Sequence, residues 1–417
     1  MRESRLYEIN EIKEIIDNER IIPYYQPIIS LAKNKIVGFE GLSRGVSILD
    51  GSLISPIKIF EYAHKYGLEI NLDRLCREKC IEGFNKLDFH NKDVHLFVNI
   101  DASIIEQGRG SNYLFQQVLS HGVSPENIVI EINESHVKDI NVLVEFVKKY
   151  RKEGFLIALD DLGAGFSNFE RILLLEPDVI KLDITLIKDV DKSYYKQEIF
   201  KCLVKLANHI GAIVVAEGVE TQEELNCAIE YGAHLIQGYF FSKPLNLSEE
   251  SISNIDFRIK SASIQYKSYM SLKVKKERIS KRKIDSLLNH IISEFERADI
   301  NEFDNLLLNF VEINKDLNLN MECVYILDDK GIQVSDTVFS SITKDNPRKG
   351  LIFYPSVKGE DNSLKKYYYD LINSKTNKYT SSPYISHATG SVCRTISRIF
   401  KHENNKYILC VDLIHKL

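Results

Sequence analysis

Side chains with metal-binding and acid–base chemistry lie at or near the ends of successive strand-like segments in this sequence. They are Glu40, Asn99, Glu131, Asp160, Asp161, Lys181, Glu217 and Gln237. In a closed barrel of parallel strands, the C-terminal strand ends meet on one face, where barrel enzymes place their chemistry. For any single acid, a loop position or a helix N-cap is an equally good interpretation. Recurrence on seven successive strands favours one shared site.

The charge balance of such a site indicates metal binding. Six carboxylates would be crowded together, those of Glu40, Glu131, Asp160, Asp161, Glu217 and Glu220. Lys181 is the only cation among the strand-end residues, and Arg44 lies just beyond the second strand. Partly desolvated carboxylates at this density must be protonated or bind cations. Because the donors are oxygens without His or Cys, they favour Mg²⁺ or Mn²⁺ over Zn²⁺. So many ligands suit two ions, the usual device for in-line attack on a phosphodiester.

Eight strand-like segments within the first 245 residues must position these groups. They span 21–29, 35–40, 94–100, 127–132, 155–160, 178–183, 212–217 and 234–240, with helical patterns after most of them. The segments are continuous apolar runs, which is typical of strands covered on both faces. The pattern predicts a TIM-type (β/α)8 barrel. A doubly wound open sheet is the alternative, but it usually has fewer strands and a Gly-rich first turn, which is missing here.

The segments that carry these residues resemble the EAL-domain phosphodiesterases of cyclic di-GMP over about residues 15–246. The matching motifs are Tyr-Gln-Pro-Ile at 25–28, Glu-Gly-Leu-Ser-Arg at 40–44, Phe-Val-Asn-Ile at 97–100, Glu-Ile-Asn-Glu-Ser at 131–135, Asp-Asp-Leu-Gly-Ala-Gly-Phe-Ser at 160–167, Lys-Leu-Asp at 181–183, Ala-Glu-Gly-Val-Glu at 216–220 and Gln-Gly-Tyr-Phe-Phe-Ser-Lys-Pro at 237–244. Departures from the family pattern are Gly41 for Ala, Asn133 for Thr, Leu162 for Phe and Asn168 for Ser. None of these departures removes a predicted metal ligand. Gly41 adds backbone freedom beside Glu40 and is expected to loosen the position of Glu40.

The resemblance assigns a role to each site residue. It implies one metal ion held by Glu40, Asn99, Glu131 and Asp160, and a second held by Asp160, Asp161 and Glu217. It implies catalytic roles for Lys181, Glu217, Gln237 and Glu220, with Lys181 orienting the attacking water and Gln237 supporting it. It implies substrate contacts from Gln26, Glu40, Leu42, Arg44, Asp183, Tyr239 and Pro244. Glu134 and Glu220 would anchor the loop after the fifth strand, although Glu220 also suits the N-terminus of the helix that follows it.

The remaining 170 residues predict a linker helix and a second domain, which divides the chain into 1–248, 249–300 and 301–417. Residues 257–283 are rich in Lys and Arg, and a solvated helix face is a stronger interpretation of them than a membrane or nucleic-acid contact. Residues 301–417 resemble a small α/β PAS- or Cache-like sensor domain. His387, Arg394 and Asp412 are candidates for lining a pocket in it, and ordinary turn or strand-end roles suit them equally well.

Composition excludes several other classes of protein. The chain has 417 residues and a formal net charge of −5, so it is a poor candidate for binding nucleic acid or anionic membranes. No apolar run approaches the roughly 18 residues of a membrane-spanning helix, and residues 1–10 lack a signal-peptide pattern. Seven cysteines without a C-x-x-C spacing are expected to be reduced thiols in a cytoplasmic protein.

These observations together predict a metal-dependent hydrolase. The expected reaction is cleavage of one phosphodiester of cyclic di-GMP to linear pGpG, regulated by the C-terminal domain. A cyclic di-GMP receptor with little or no turnover is the alternative, and a protein-interaction scaffold with a vestigial site is a third reading. The resemblance further implies a homodimer, and an unidentified ligand or partner is expected at the C-terminal domain.

Overall fold

The computed structural model describes residues 2–87, 93–101, 104–105, 111–133, 139–163, 169–313, 320–340 and 354–414. The chain divides into two compact units, Met1–Met270 and Ser271–Leu417. A 47-residue helix, Glu249–Phe295, contains the boundary between them. No described helix combines the length and apolarity needed to cross a membrane.

The first unit is an eight-stranded closed barrel, as the sequence predicts. Its strands and one short flanking strand are β1 (Ile21–Ser30), β2 (Lys35–Val46), β3 (Leu53–Ile54), β4 (His95–Ile100), β5 (Ile128–Ile132), β6 (Leu156–Leu162), β7 (Val179–Leu182), β8 (Ile213–Ala216) and β9 (Leu235–Ile236). The order around the barrel is β1-β9-β8-β7-β6-β5-β4-β2, and pairing of β1 with β2 closes it. The short β3 lies outside the ring, on the other side of β2.

The start of the barrel departs from a uniform alternation of strand and helix. Strand β1 runs antiparallel to both of its neighbours, β2 and β9, whereas the other barrel pairs are parallel. Only residues 31–34 connect β1 to β2. A parallel connection needs a crossover of about a dozen residues or more, so a link this short permits only a hairpin. The predicted TIM-type barrel is therefore confirmed, with an antiparallel hairpin at its start.

Helices cover the outside of the barrel. Among the described residues and in chain order they are α1 (Arg2–Asp17), α2 (Pro56–Tyr66), α3 (Glu69–Lys86), α4 (Tyr113–Ser120), α5 (Ile140–Lys152), α6 (Phe169–Leu175), α7 (Ile184–Ile187), α8 (Tyr194–Ile210), α9 (Gln222–Glu230) and the part of α10 (Glu249–Phe295) that belongs to the first unit. The main core lies between strands and helices and includes Ile130, Ile157, Val214 and Leu225. A second, smaller cluster consists of Ile28, Phe97, Val129, Ala158, Val179 and Val215. Neighbouring side chains on a strand point to opposite faces, so the residues that alternate with those of the main core point inward. This smaller cluster therefore fills the barrel interior.

The second unit is built on an antiparallel sheet. Its elements are α11 (Phe303–Ile313), β10 (Met321–Asp328), β11 (Val338–Phe339), α12 (Lys366–Ile372), β12 (Lys378–Thr380), β13 (Tyr384–Ile385), β14 (Val392–His402) and β15 (Asn405–Ile414). The order is β11-β10-β15-β14-β12, and β13 also pairs with β14. Alternate residues of β10 and β15 enter two separate cores on the two faces of the sheet. After the turn at 328–331, Gln333 forms an isolated bridge with Leu327, and Ile332 forms one with Asp361.

Candidate active site

The functional side chains form a polar layer directly above the apolar cluster inside the barrel. On five strands the functional residue lies two positions beyond an interior apolar residue, as Glu131 follows Val129 and Lys181 follows Val179. The same spacing relates Phe97 to Asn99, Ala158 to Asp160 and Val215 to Glu217. Since the period of a strand is two residues, each functional side chain points into the barrel at its C-terminal end.

Lys181 is at the centre of this layer and is almost fully buried. Its Nζ lies 2.6 Å from Oε1 of Glu131 and 2.7 Å from Oε1 of Glu217. Further carboxylate oxygens lie at 3.3 Å, from Asp160, and at 3.5 Å, from Glu40. One ammonium group thus contacts four carboxyl groups that different strands position, so the acidic side chains outnumber the cation.

Glu40 is fixed by two amide donors from other strands. Asn99 Nδ2 donates to its Oε1 at 2.9 Å, and Gln237 Nε2 donates to its Oε2 at 2.6 Å. Gln237 also donates to Oε1 of Gln26 at 3.2 Å, and Gln26 donates to the carbonyl oxygen of Ser242. This hydrogen-bonded chain connects β2 to the segment after β9, and it orients Glu40 without requiring a bound ion.

A bulge in β6 brings two consecutive aspartates to the same site. Leu159 pairs with Ile180 but Leu162 pairs with Leu182, so β6 contains one extra residue in this stretch. Asp161 adopts a left-handed conformation, with φ of 56°. Non-glycine residues in this region are uncommon and cluster at functional sites. Oxygens of Asp160, Asp161 and Glu217 consequently lie within 4.8 Å of one another.

Burial and charge set the protonation of the cluster. Burial disfavours the Lys181 cation, but the charges of Asp160, Glu131, Glu217 and Glu40 outweigh it and raise the pKa of Lys181. Burial alone would raise the pKa of Glu40, but the charge of Lys181 and the hydrogen bonds from Gln237 and Asn99 bring that pKa below its ordinary value. Burial raises the pKa of Glu217 to about 8, against the opposing effect of Lys181.

Burial and the charge of Glu40 raise the pKa of Glu131. Its side chain is fully buried, and Oε2 has no hydrogen-bond partner among the described residues. An unpartnered carboxylate oxygen in a buried site is costly. Together with an all-oxygen donor set and an excess of negative charge, this oxygen makes the site suited to hard divalent cations.

A pocket of about 430 Å³ opens above the layer and brings together all of the predicted substrate residues. Those residues are Gln26, Glu40, Leu42, Arg44, Asp183, Tyr239 and Pro244, and Glu220 also lines the pocket. Arg44 Nη1 donates to the Ser43 carbonyl oxygen at 2.8 Å, and its guanidinium lies 5.1 Å from the centre of the Tyr24 ring. Asp183 accepts a hydrogen bond from the Thr185 amide at 2.8 Å and caps α7.

Glu220 and Glu134 were predicted to anchor the loop after the fifth strand. Glu220 is exposed and directly precedes the capping box of α9, in which Glu224 accepts from the amides of Glu220 and Thr221. This position corresponds to the alternative interpretation, an acid at a helix N-terminus. Glu134 and residues 164–168 lie outside the described residues.

Two contacts at the site were not predicted from the sequence. Asn133 Nδ2 donates to Oδ2 of Asp161 at 3.2 Å, and its place two residues after Glu131 is the signal that could have identified it. The second contact involves Gly41, where an added Cβ would lie 3.0 Å from Cβ and 3.1 Å from Sγ of Cys80. Cys80 on α3 therefore occupies the space of the missing methyl group, so Gly41 has a packing role beside Glu40.

An α/β barrel with an acidic cluster and a lysine at its C-terminal end has the architecture of a barrel enzyme with a candidate metal site. The family model of the EAL domain matches residues 9–244. The match covers more than half of the chain, which therefore belongs to the EAL domain family.

Several known proteins are similar to this chain. "Probable cyclic di-GMP phosphodiesterase PdeB" of Escherichia coli (strain K12) is 29% identical over 236 residues, which are 57% of this chain and 45% of that protein. The chain thus spans less than half of the length of PdeB. "Uncharacterized EAL-domain containing protein YkuI" of Bacillus subtilis (strain 168) is 25% identical over 394 residues, 92% of this chain and 93% of that protein.

Two solved structures resemble this chain to different extents. The crystal structure of Bacillus subtilis YkuI in complex with cyclic di-GMP and calcium has a TM-score of 0.76 at 24% identity, with coverage of 98% of this chain and 100% of that one. This similarity supports the fold of both units. Klebsiella pneumoniae BlrP1, in a calcium and cyclic di-GMP complex, has a TM-score of 0.50 at 28% identity, with coverage of 55% and 57%.

Proposed function

We propose that the barrel hydrolyses one phosphodiester bond of cyclic di-GMP and releases linear pGpG. The observation that carries the proposal is the buried cluster in which four carboxylates surround Lys181, in a chain that belongs to the EAL domain family. The name of PdeB and the cyclic di-GMP complexes of YkuI and BlrP1 support this choice of substrate.

Two divalent ions, Mg²⁺ or Mn²⁺, are the proposed cofactors. Glu40, Asn99, Glu131 and Asp160 would hold one ion, and Asp160, Asp161 and Glu217 would hold the other. When bound, such ions polarise the phosphodiester and lower the pKa of a coordinated water. The closeness of the Asp160, Asp161 and Glu217 oxygens and the unpartnered oxygen of Glu131 support this assignment.

The chain's own groups bind and orient the reactants. The Lys181 ammonium, held among Glu131, Asp160 and Glu217, orients the attacking water. Gln237 keeps Glu40 in place through its 2.6 Å hydrogen bond. Arg44 offers a planar guanidinium to a substrate phosphate, a geometry suited to bidentate recognition.

The assembly and regulation of the protein are also proposed. The C-terminal unit would act as a sensor that regulates turnover, and the protein would act as a homodimer. None of the seven cysteines, all of which are described, forms a disulfide, which fits a reducing compartment, and we propose the cytoplasm.

A turnover assay with separate metals tests the function. The full chain is incubated with cyclic di-GMP and Mg²⁺, Mn²⁺ or Ca²⁺, and the products are separated by chromatography. We expect pGpG with Mg²⁺ or Mn²⁺, and Glu217→Gln should lower its rate of formation by at least about a hundredfold because a ligand charge is lost. Glu198→Gln is a matched control, since Glu198 pairs only with Lys201 on a surface helix in the described structure.

A measurement of cyclic di-GMP binding distinguishes the two alternative functions, a receptor and a scaffold. Tight binding with intact nucleotide recovered under all three metals would make the protein a receptor and overturn the proposed turnover. Absence of both binding and turnover would identify a scaffold with a vestigial site.

A further inference from the structure

The C-terminal unit contains a second group of buried metal-binding side chains. Glu322 on β10, Cys393 on β14 and Asp412 on β15 come from three neighbouring strands of one sheet. All three are buried, and one ligand atom from each lies within 4.8 Å of the other two. None of them belongs to the barrel or to its acidic layer.

A bulge aims Glu322 into this group. Met321 pairs with Leu413 and Cys323 pairs with Asp412, so Glu322 is the extra residue on β10. Bulges re-aim side chains and are frequent beside functional sites. The Glu322 side chain is 0% exposed. Its Oε1 accepts from the Thr389 hydroxyl, but its Oε2 has no hydrogen-bond partner among the described residues.

Asp412 is nearly as buried as Glu322 and faces the same space. Its Oδ1 accepts from the Thr395 hydroxyl at 2.7 Å, and the Cys323 thiol lies 3.5 Å from its Oδ2. Within the described part of the chain, neither Asp412 nor Glu322 forms a salt bridge. Two buried carboxyl groups lie beside a thiol, and one of their oxygens has no hydrogen-bond partner among the described residues. Lys365 acts on Asp412 through its charge but forms no salt bridge with it, so a bound cation would still be favourable.

The donor chemistry selects the ligand. We propose that Glu322, Cys393 and Asp412 bind one divalent transition-metal ion of the Zn²⁺ type. Thiolate with carboxylate ligands suits Zn²⁺, whereas Mg²⁺ and Ca²⁺ take oxygen ligands. Binding breaks the S–H bond of Cys393, forms a sulfur–metal bond and releases the proton to solvent.

The adjoining cavity gives the site an entrance. A small cavity of about 30 Å³ is lined by Asp412, Cys323, Tyr325, Lys365 and His387, among others. Three protein ligands leave the fourth position of a tetrahedral ion available to a water molecule from this cavity. The site therefore has the form of an accessible metal centre, which binds a metal ion independently of cyclic di-GMP hydrolysis.

Cobalt spectroscopy distinguishes this site from the barrel. Co²⁺ replaces Zn²⁺ and produces a thiolate-to-cobalt charge-transfer absorption only when a cysteine is a ligand. The barrel layer contains oxygen donors and the Lys181 amine, so it cannot produce this band. We expect the band when Co²⁺ is titrated into the metal-stripped full chain, and we expect added Zn²⁺ to abolish it.

Variants test the assignment. Cys393→Ser should lose the band, and Asp412→Asn should weaken Co²⁺ binding by more than about tenfold. Cys410→Ser is the matched control, because Cys410 is a buried thiol two residues from Asp412 that contacts Ser397. It should keep the band.

Two results would overturn the proposal. One is absence of the band in the wild-type chain, which would mean that protonated carboxyl groups satisfy the cluster. The other is a full band in Cys393→Ser. If Cys393→Ser does not fold, as judged by circular dichroism, Glu322→Gln provides the same test with an isosteric change, and unweakened Co²⁺ binding by that variant counts against the site.

Discussion

The two units bury carboxylates in opposite ways. In the barrel, Lys181 contacts four carboxylates directly, whereas in the C-terminal sheet Glu322 and Asp412 receive hydrogen bonds from Thr389 and Thr395. Hydroxyl groups satisfy lone pairs but supply no charge. Burial is similar in the two places, so the difference lies in the built-in cation.

This difference affects the charge state of Glu40 in particular. The charge of Lys181 helps to bring the pKa of Glu40 below its ordinary value despite burial. In the C-terminal cluster, burial raises the pKa of Asp412 to about 7 against the opposing effects of the Thr395 hydrogen bond and of Lys365, and it also raises the pKa of Glu322. The barrel thus holds Glu40 ionised before any metal binds. Burial nevertheless raises the pKa of Glu131 and Glu217, so these two carboxyl groups must release protons to bind a metal, as those of the C-terminal cluster must.

Removal of the barrel's cation should have the largest effect. In Lys181→Met the four carboxylates lose their only direct counter-charge among the described residues. Breaking a buried ion pair typically costs about 3–5 kcal/mol. We expect the free energy of unfolding, measured by denaturant titration with a chelator present, to fall by that amount, and turnover to fall at least about a hundredfold.

Divalent metal should reduce the difference in free energy of unfolding between Lys181→Met and wild type, because it restores positive charge to the same carboxylates. Lys192→Met is the control, since the Lys192–Asp189 pair is exposed and such pairs contribute about 1 kcal/mol or less. Equal stability of Lys181→Met and wild type in chelator would show that the carboxylates are protonated instead.

The sequence predicted the barrel layer because strand geometry determines it. Residues such as Glu131 and Lys181 follow short apolar runs, and the two-residue period then places them inside the barrel end. The prediction needed only local patterns and one rule for barrels. The hairpin of β1 and β2 was missed, although the four-residue link already implied it.

Features that depend on register or on distant packing were not accessible in the same way. The bulges at Asp161 and Glu322 arise from a one-residue mismatch between paired strands, which a single strand does not reveal. The contact of Gly41 with Cys80 joins residues 39 positions apart. The pocket candidates His387 and Asp412 line a common cavity, whereas Arg394 is exposed on β14 and is not among its lining residues.

The C-terminal cluster should make stability depend on pH. In metal-free protein the pKa of Asp412 is raised to about 7, above the ordinary value of 3.8 that applies to the unfolded chain. The folded state therefore binds more protons between these values. Its extra stability is fully present below about pH 4 and is lost as the pH rises through about 7. The loss is on the order of 4 kcal/mol.

Calorimetry of the full chain in chelator, from pH 5 to 8, measures this dependence. Asp412→Asn stays neutral at every pH, so the fall in transition temperature toward pH 8 should be smaller than in wild type. An equal fall in both proteins would place the titration elsewhere. Bound Zn²⁺ should also reduce the fall in wild type, since the metal keeps Asp412 ionised in the folded state.

The smallest expected effect concerns the packing that supports the ionised barrel cluster. Gly41→Ala introduces a methyl group 3.0 Å from Cβ of Cys80. Cys80 cannot easily move, because Tyr25 donates to its carbonyl oxygen at 2.8 Å. Overpacking of this kind costs about 1–3 kcal/mol. Since Glu40 is the adjacent residue, we expect turnover to fall about tenfold.

A double-mutant cycle shows whether Cys80 is the cause. Cys80→Ala removes the sulfur that lies 3.1 Å from the added methyl group, so Gly41→Ala should cost less in that background, with a coupling energy of about 0.5–3 kcal/mol. Cys76→Ala is the control, as Cys76 is a buried thiol one helical turn earlier and is not among the nearest neighbours of Gly41. Additive effects of Gly41→Ala and Cys80→Ala would mean that the strand itself, and not α3, holds Glu40 against Lys181.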